Sequence, residues 1–221
     1  LIFEGEYLNG NKWNGKGYGQ NNKIIYELKE GNGVIKEYLK GKLQFEGEYL
    51  NGLKNRSWKE YYDDGKLKFK GEYLNGKRNG KGKEYYNNGK LKFEGGYLNG
   101  YKWNGKFYDG LGNIVSELKN GKGLIKEYNK NNILGFDGEY LNGLRNGKGK
   151  EYDQHGKLIF EGEYLNGYRN GKRKEYNMHG KLSYEGEYLY NKRLRGKEYI
   201  NNKLEYEGEY LYDKKWNGKG Y

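Results

Sequence analysis

The residues Gly80 to Leu98 alternate between large apolar or glycine positions and charged ones, the period-two signature of strands lying on a half-buried sheet. Two strands are predicted there, Gly80 to Tyr86 and Lys90 to Leu98, joined at Asn88-Gly89. Asn-Gly suits a two-residue turn in which both φ angles are positive. That turn sets Tyr86 against Leu91, Tyr85 against Lys92, Glu84 against Phe93, Lys83 against Glu94 and Gly82 against Gly95. Side chains alternate across a strand. Gly80, Gly82, Tyr86, Leu91, Phe93, Gly95 and Tyr97 therefore share one face, while Lys83, Tyr85, Lys92 and Glu94 occupy the other.

Glycine inside a strand normally weakens it. Here the paired glycines are expected to leave a hollow into which aromatic rings lie flat, a cross-strand rescue. Trp58 replaces one glycine of such a pair, opposite Gly71, and Arg173 does so opposite Gly186.

The same wording recurs from aromatic residues at Phe3, Phe45, Phe69, Phe93, Phe136, Phe160, Tyr184 and Tyr206, spaced by 42, 24, 24, 43, 24, 24 and 22 residues. Each long gap holds a shortened unit, Ile24 to Tyr38 and Ile114 to Tyr128, and these two match at an offset of 90. Ten units follow, in one array over residues 1–221 without an interior boundary, with a four-unit block duplicated. The expected fold is all-β: an elongated, single-layer antiparallel sheet solenoid of stacked hairpins, on the order of 100 Å long at ~4.8 Å per strand. The chain starts without Met, inside a strand-like run, which reads as an excised portion of a longer protein.

Composition agrees. Of 221 residues, 39 are Gly and 27 Tyr, Pro and Cys are absent, and 33% are hydrophobic, too few for a conventional two-layer core. Without Cys there is no disulfide framework or thiolate zinc site, and the two histidines precede turn glycines, which argues against metal ligation. Three serines, none beside a base, and no phosphate-cradling loop point away from catalysis and cofactors. The "EGE" carboxylates read as cross-strand ion pairs, as with Lys150 and Glu161, rather than an acid–base pair.

The net charge of +12 favours anionic partners. Basic residues gather in what reads as a loop between strands, including Lys77, Arg78, Lys81, Arg145, Lys148, Arg169 and Lys172. Stacked, they would make a positive edge: a solvated rim that discourages sheet aggregation, or a contact for anionic lipid. Trp13, Trp103 and Trp216 occur in "KWNG" loops, as gap fillers beside short units or as interfacial anchors. Phe69, Tyr73, Phe93, Tyr97, Phe136, Tyr140, Phe160 and Tyr164 are the expected lining of an aromatic binding groove. Nucleic acid is disfavoured by the interleaved Glu, and no apolar run of transmembrane length occurs.

The run "FEGEYLNGKRNGKGKEYYNNG" resembles the MORN repeat. Phe160, Glu161, Gly162, Glu163, Tyr164, Gly171 and Gly180 follow its pattern in one unit, and Phe136, Gly138, Tyr140, Gly147, Gly149 and Gly156 in the one before. The wording resembles the variant found in bacterial YwqK-type antitoxin proteins and in low-complexity protist proteins. The resemblance implies a hairpin array acting as a scaffold for a protein partner or homodimer, in some members with phosphoinositide or membrane contact; the location is open, with a cytoplasmic or peripheral membrane one favoured. A toxin-neutralising protein and a cell-surface carbohydrate binder are the alternatives.

Overall fold

A computed structural model describes residues 2–19 and 22–221, and among these described residues the chain forms strands and turns and no α-helix. The chain divides into two compact units, one running through Lys106 with Gly110–Gly112, the other taking Phe107–Asp109 and everything from Asn113. The sequence reads as one uninterrupted array, whereas the backbone contacts fall into these two units.

The first unit holds β1 (Ile2–Leu8), β2 (Asn11–Tyr18), β3 (Ile24–Leu28), β4 (Gly33–Leu39), β5 (Lys42–Leu50), β6 (Leu53–Tyr61), β7 (Leu67–Leu74), β8 (Lys77–Tyr85), β9 (Leu91–Leu98) and β10 (Tyr101–Tyr108, its last two residues counting with the second unit). The second holds β11 (Ile114–Leu118), β12 (Gly123–Tyr128), β13 (Leu134–Leu141), β14 (Leu144–Tyr152), β15 (Leu158–Leu165), β16 (Tyr168–Tyr176), β17 (Leu182–Leu189), β18 (Lys192–Ile200), β19 (Lys203–Leu211) and β20 (Lys214–Gly220). Strands β1 to β3, β4 to β10 and β12 to β20 lie side by side in chain order. The pairings described between them are antiparallel, so each sheet is a meander of hairpins. The shortened hairpins β3–β4 and β11–β12 close on equivalent bridges, Lys29 to Asn32 and Lys119 to Lys122.

Two kinds of turn alternate, and they are placed differently from the expectation. The tight two-residue turn falls at Asn75-Gly76, where Leu74 pairs with Lys77 and both φ angles are positive, 49° and 80°. Only Gly89 of Asn88-Gly89 has positive φ. Its amide donates to the Tyr86 carbonyl at 2.9 Å, and the Asn88 Oδ1 accepts from the Lys90 amide, so this connection is a wider turn. A bulge between Glu84 and Tyr85 then places Tyr85, not Tyr86, against Leu91. The "KRNG" stretch after Gly76, expected as a loop, is consequently the start of strand β8. The inner pairs stand as read from the sequence: Gly82 with Gly95, Lys83 with Glu94, Trp58 with Gly71, and Arg173 with Gly186.

The tight turns also join repeat to repeat. The Gly76 amide donates to the Lys54 carbonyl and the Gly100 amide to that of Arg78, each at 2.8 Å; in the second unit Gly167 does the same to Arg145. A backbone donor at a solvent-facing turn is thus satisfied by the neighbouring repeat, which holds the turns in a stack.

The core is a single file of rings lying on backbone. Phe69, Phe93, Phe136 and Phe160 are buried, each packs edge to face against the tyrosine of its own repeat, and Phe69 and Phe136 also do so against that of the next. Phe69 stands 5.9 Å from Tyr73 and 5.7 Å from Tyr97, and Phe136 stands 6.1 Å from Tyr140 and 5.5 Å from Tyr164. Such edge contacts add about 0.5–1.5 kcal/mol apiece beyond the buried area. A Cβ placed on Gly149 would stand 2.8 Å from the Phe136 ring and 3.0 Å from that of Tyr164, so those rings fill the space that any side chain would need.

Arg173 tests this arrangement, because it occupies a column slot between Gly162 and Gly186. Its side chain is only 2% exposed. One terminal nitrogen pairs with Glu175, but Nε and Nη1 are buried without an acceptor. An unmet buried donor costs about 1–3 kcal/mol, and glycine in a strand gives back about 0.5–1 kcal/mol. Glu175 keeps Tyr188 at 2.8 Å and Arg193 at 3.2 Å without it. Contacts of the Arg173 guanidinium with the Phe160 and Tyr188 rings offset part of the donor cost, so Arg173→Gly is expected to stabilise the protein by up to about 1 kcal/mol in urea unfolding, against the usual direction for a buried residue. A lower midpoint would show that the guanidinium is a net asset in that slot.

Candidate functional site

The two sheet faces differ in what they leave open. On the aromatic face, every full-length repeat places a cation nine residues after its opening aromatic, over that same ring. The guanidinium carbons of Arg78, Arg145, Arg169 and Arg193 lie 3.8, 3.9, 4.5 and 4.2 Å from the centroids of Phe69, Phe136, Phe160 and Tyr184. Lys12, Lys54, Lys102 and Lys215 take the equivalent place over Phe3, Phe45, Phe93 and Tyr206. A desolvated cation over a ring contributes up to about 2 kcal/mol.

Carboxylates sharing that face hold the cations down. Arg78 reaches Glu60 at 3.0 Å and Glu84 at 2.7 Å, and Arg145 reaches Glu127 at 2.8 Å. Tyrosine hydroxyls bond to the same acids: Tyr73 to Glu60, Tyr140 to Glu127, Tyr164 to Glu151 and Tyr97 to Glu84. The result is a roof of cations and carboxylates over the ring file.

This corrects the expected aromatic groove. Phe69, Tyr73, Phe93, Tyr97, Phe136, Phe160 and Tyr164 are buried and Tyr140 is half-buried, so they are core. The expected basic edge divides in two. Arg78, Arg145 and Arg169 belong to the roof, whereas Lys77, Lys81, Lys148 and Lys172 are exposed. Trp13 is half-buried, and a Cβ on Gly31 would stand 2.8 Å from its ring, which matches gap filling beside a short hairpin. Trp103 is half-buried, and Trp216 is 70% exposed. The acids Glu60, Glu84, Glu127, Glu151 and Glu175 were missed. Their signal was the predicted register itself, which sets Glu84 opposite Phe93 and so on the aromatic face.

The other face is open. Across β14 to β19 runs a trough of about 820 Å³ whose floor is the backbone of Gly149, Gly162, Gly186, Gly196 and Gly208. Cross-strand pairs build one wall from Lys148, Glu163, Lys172, Glu187, Arg195 and Glu209, and the other from Lys150, Glu161, Lys174, Glu185, Lys197 and Glu207. Six cations and six carboxylates alternate around a neutral trough. Adjacent pairs approach closely in places, as Arg195 does Glu187 at 3.0 Å and Lys197 does Glu207 at 3.4 Å.

Among the described residues, no group of His, Cys, Asp and Glu is placed to hold a metal ion, and no helix is long and apolar enough to cross a membrane. The search of curated proteins returned no match to the chain. The model of the MORN repeat family matches residues 69–90, 136–156 and 160–172, stretches that begin at the Phe69, Phe136 and Phe160 just described. The same ring, glycine pair and tight turn recur in the flanking repeats, and at these three places the chain carries MORN repeats.

Proposed function

We propose that the chain is a non-catalytic scaffold that binds a protein partner in the trough on the charged face of its second unit. MORN repeats are generally linked to protein or membrane interaction. The trough is the observation that carries the choice. Its walls sum to zero charge, so a uniformly anionic polymer or lipid surface finds as much repulsion as attraction there, whereas a polypeptide bearing both signs can match the alternation. The sealed aromatic face supplies rigidity instead of contact area.

The test keeps composition and net charge constant. Lys172 and Glu187 stand opposite each other, so the double exchange Lys172→Glu with Glu187→Lys retains the internal pair but inverts the pattern shown to a partner. Proteins retained from the cell extract by the native chain are expected to be lost from the exchanged chain, which stays folded and melts only slightly lower because it gives up the exposed Glu187 to Arg195 bridge. Retention of the same set by both chains would overturn the reading.

A further inference from the structure

In the second unit one row of the charged face alternates strictly in sign from strand to strand, and so does most of its counterpart in the first unit: Lys36, Glu46, Lys59, then Glu94 after two intervening strands. The alternation fails between them. Lys70 on β7 stands directly opposite Lys59 on β6 and Lys83 on β8, in the slot that Glu46, Glu94 and Glu161 fill in other repeats. Lys59 is held by Glu46 at 2.7 Å and Lys83 by Glu94 at 2.6 Å. Among the described residues no carboxylate lies within ion-pair distance of Lys70, which is exposed.

A second carboxylate is missing nearby. Lys81 on β8 is paired with Gly96 on β9, where Lys148 and Lys172 have Glu163 and Glu187 opposite. Space for it exists, since a Cβ on Gly96 would meet only the Asn104 carbonyl, at 3.9 Å. Like charges set directly across a sheet are destabilising. A repeat that departs from its own rule at one place, against its stability, marks a site where something else supplies the missing group.

We propose that an acidic peptide docks across β6 to β9 and that its carboxylates supply the two charges missing from the slots of Lys70 and Gly96, bonding Lys70 and Lys81. The slots lie two strands and two residues apart, roughly 12 Å at ordinary strand geometry. Acidic residues three apart in an extended peptide span about the same distance. Carboxylate is the group that the neighbouring repeats place in those slots, and it neutralises the lysine without crowding the backbone. The inference rests on the first unit by itself and does not depend on the trough.

Binding of a fluorescent oligoglutamate peptide, followed by anisotropy at low salt, tests it with the full chain. Lys70→Glu restores the alternation, so the variant folds, melts higher than native and binds the peptide about tenfold more weakly, the equivalent of one charged contact. Lys77→Glu makes the same charge change at the exposed first residue of β8, outside the row, and leaves binding near native. Equal weakening by both substitutions would reduce the effect to net charge and overturn the proposal, as would weakening by neither. Lys70-dependent sedimentation with phosphatidylserine vesicles, without peptide binding, would overturn it in favour of a membrane surface.

Discussion

Gly95→Val should destabilise the protein by about 3 kcal/mol, although valine is among the best strand formers and glycine among the worst. The reason is geometric. A Cβ at Gly95 would lie 2.0 Å from the Asn104 carbonyl oxygen and 2.6 Å from the Gly105 Cα. Those are backbone atoms of the next strand, so no rotamer escapes them and the strands must separate. Gly96 is the control, because its Cβ would point to the open face with the nearest atom at 3.9 Å. Gly96→Val is expected to be neutral or mildly stabilising, since a side chain replaces a flexible residue. Urea midpoints of the two variants measure the difference directly. Equal effects at both positions would mean that the glycine column is not set by close approach.

Removing the Glu84 carboxylate should have an effect of similar size that depends on pH. Burial by itself would raise the Glu84 pKa, but Lys102 at 2.9 Å, Arg78 at 2.7 Å and the Tyr97 hydroxyl at 2.9 Å bring it down from 4.5 to about 2. A carboxylate whose folded pKa is depressed contributes stability that is present above its unfolded value and lost as the pH falls through the folded one. The window is therefore about pH 4.5 down to about 2. A depression of this size corresponds to about 3 kcal/mol at neutral pH. Glu84→Gln should be less stable than native by that order at pH 7, with the gap closing towards pH 2. A gap that stayed constant with pH would mean that Glu84 does not act through its charge on the roof.

Much of this was legible before the structure. The pairing of Gly82 with Gly95 and of Lys150 with Glu161 followed from two physical regularities, alternation of side chains along a strand and the requirement that opposed glycines share a face. The turns were not assigned correctly because each repeat carries two candidate dipeptides, Asn75-Gly76 and Asn88-Gly89, and both suit positive φ. What separates them is tertiary: the first hands its amide to the neighbouring repeat, and the second sits beside a bulge.

The roof was misread for another reason. Arg78, Arg145 and Arg169 are charged, and charge was assigned to solvent, whereas a guanidinium can lie flat on a ring while its nitrogens stay hydrogen-bonded. The constant nine-residue offset from aromatic to cation was visible in every full-length repeat. Without knowing that the tight turn falls between them, that offset has no spatial meaning. The charged trough was missed because the alternating carboxylates and lysines were read singly as ion pairs, not as two walls flanking a strip of bare backbone.

The central claim is that aromatic rings lie directly on paired backbone glycines and thereby join each repeat to the next. The Hα proton shifts of Gly82 and Gly149 report this most directly, because a proton beneath a ring face is shifted upfield. Gly65 and Gly89, with nothing within 4 Å of a Cβ, serve as references. The structure predicts strongly upfield Hα resonances for Gly82 and Gly149 that return towards the reference values in Phe69→Leu and Phe136→Leu respectively. Ordinary shifts for both glycines in the native protein would contradict it.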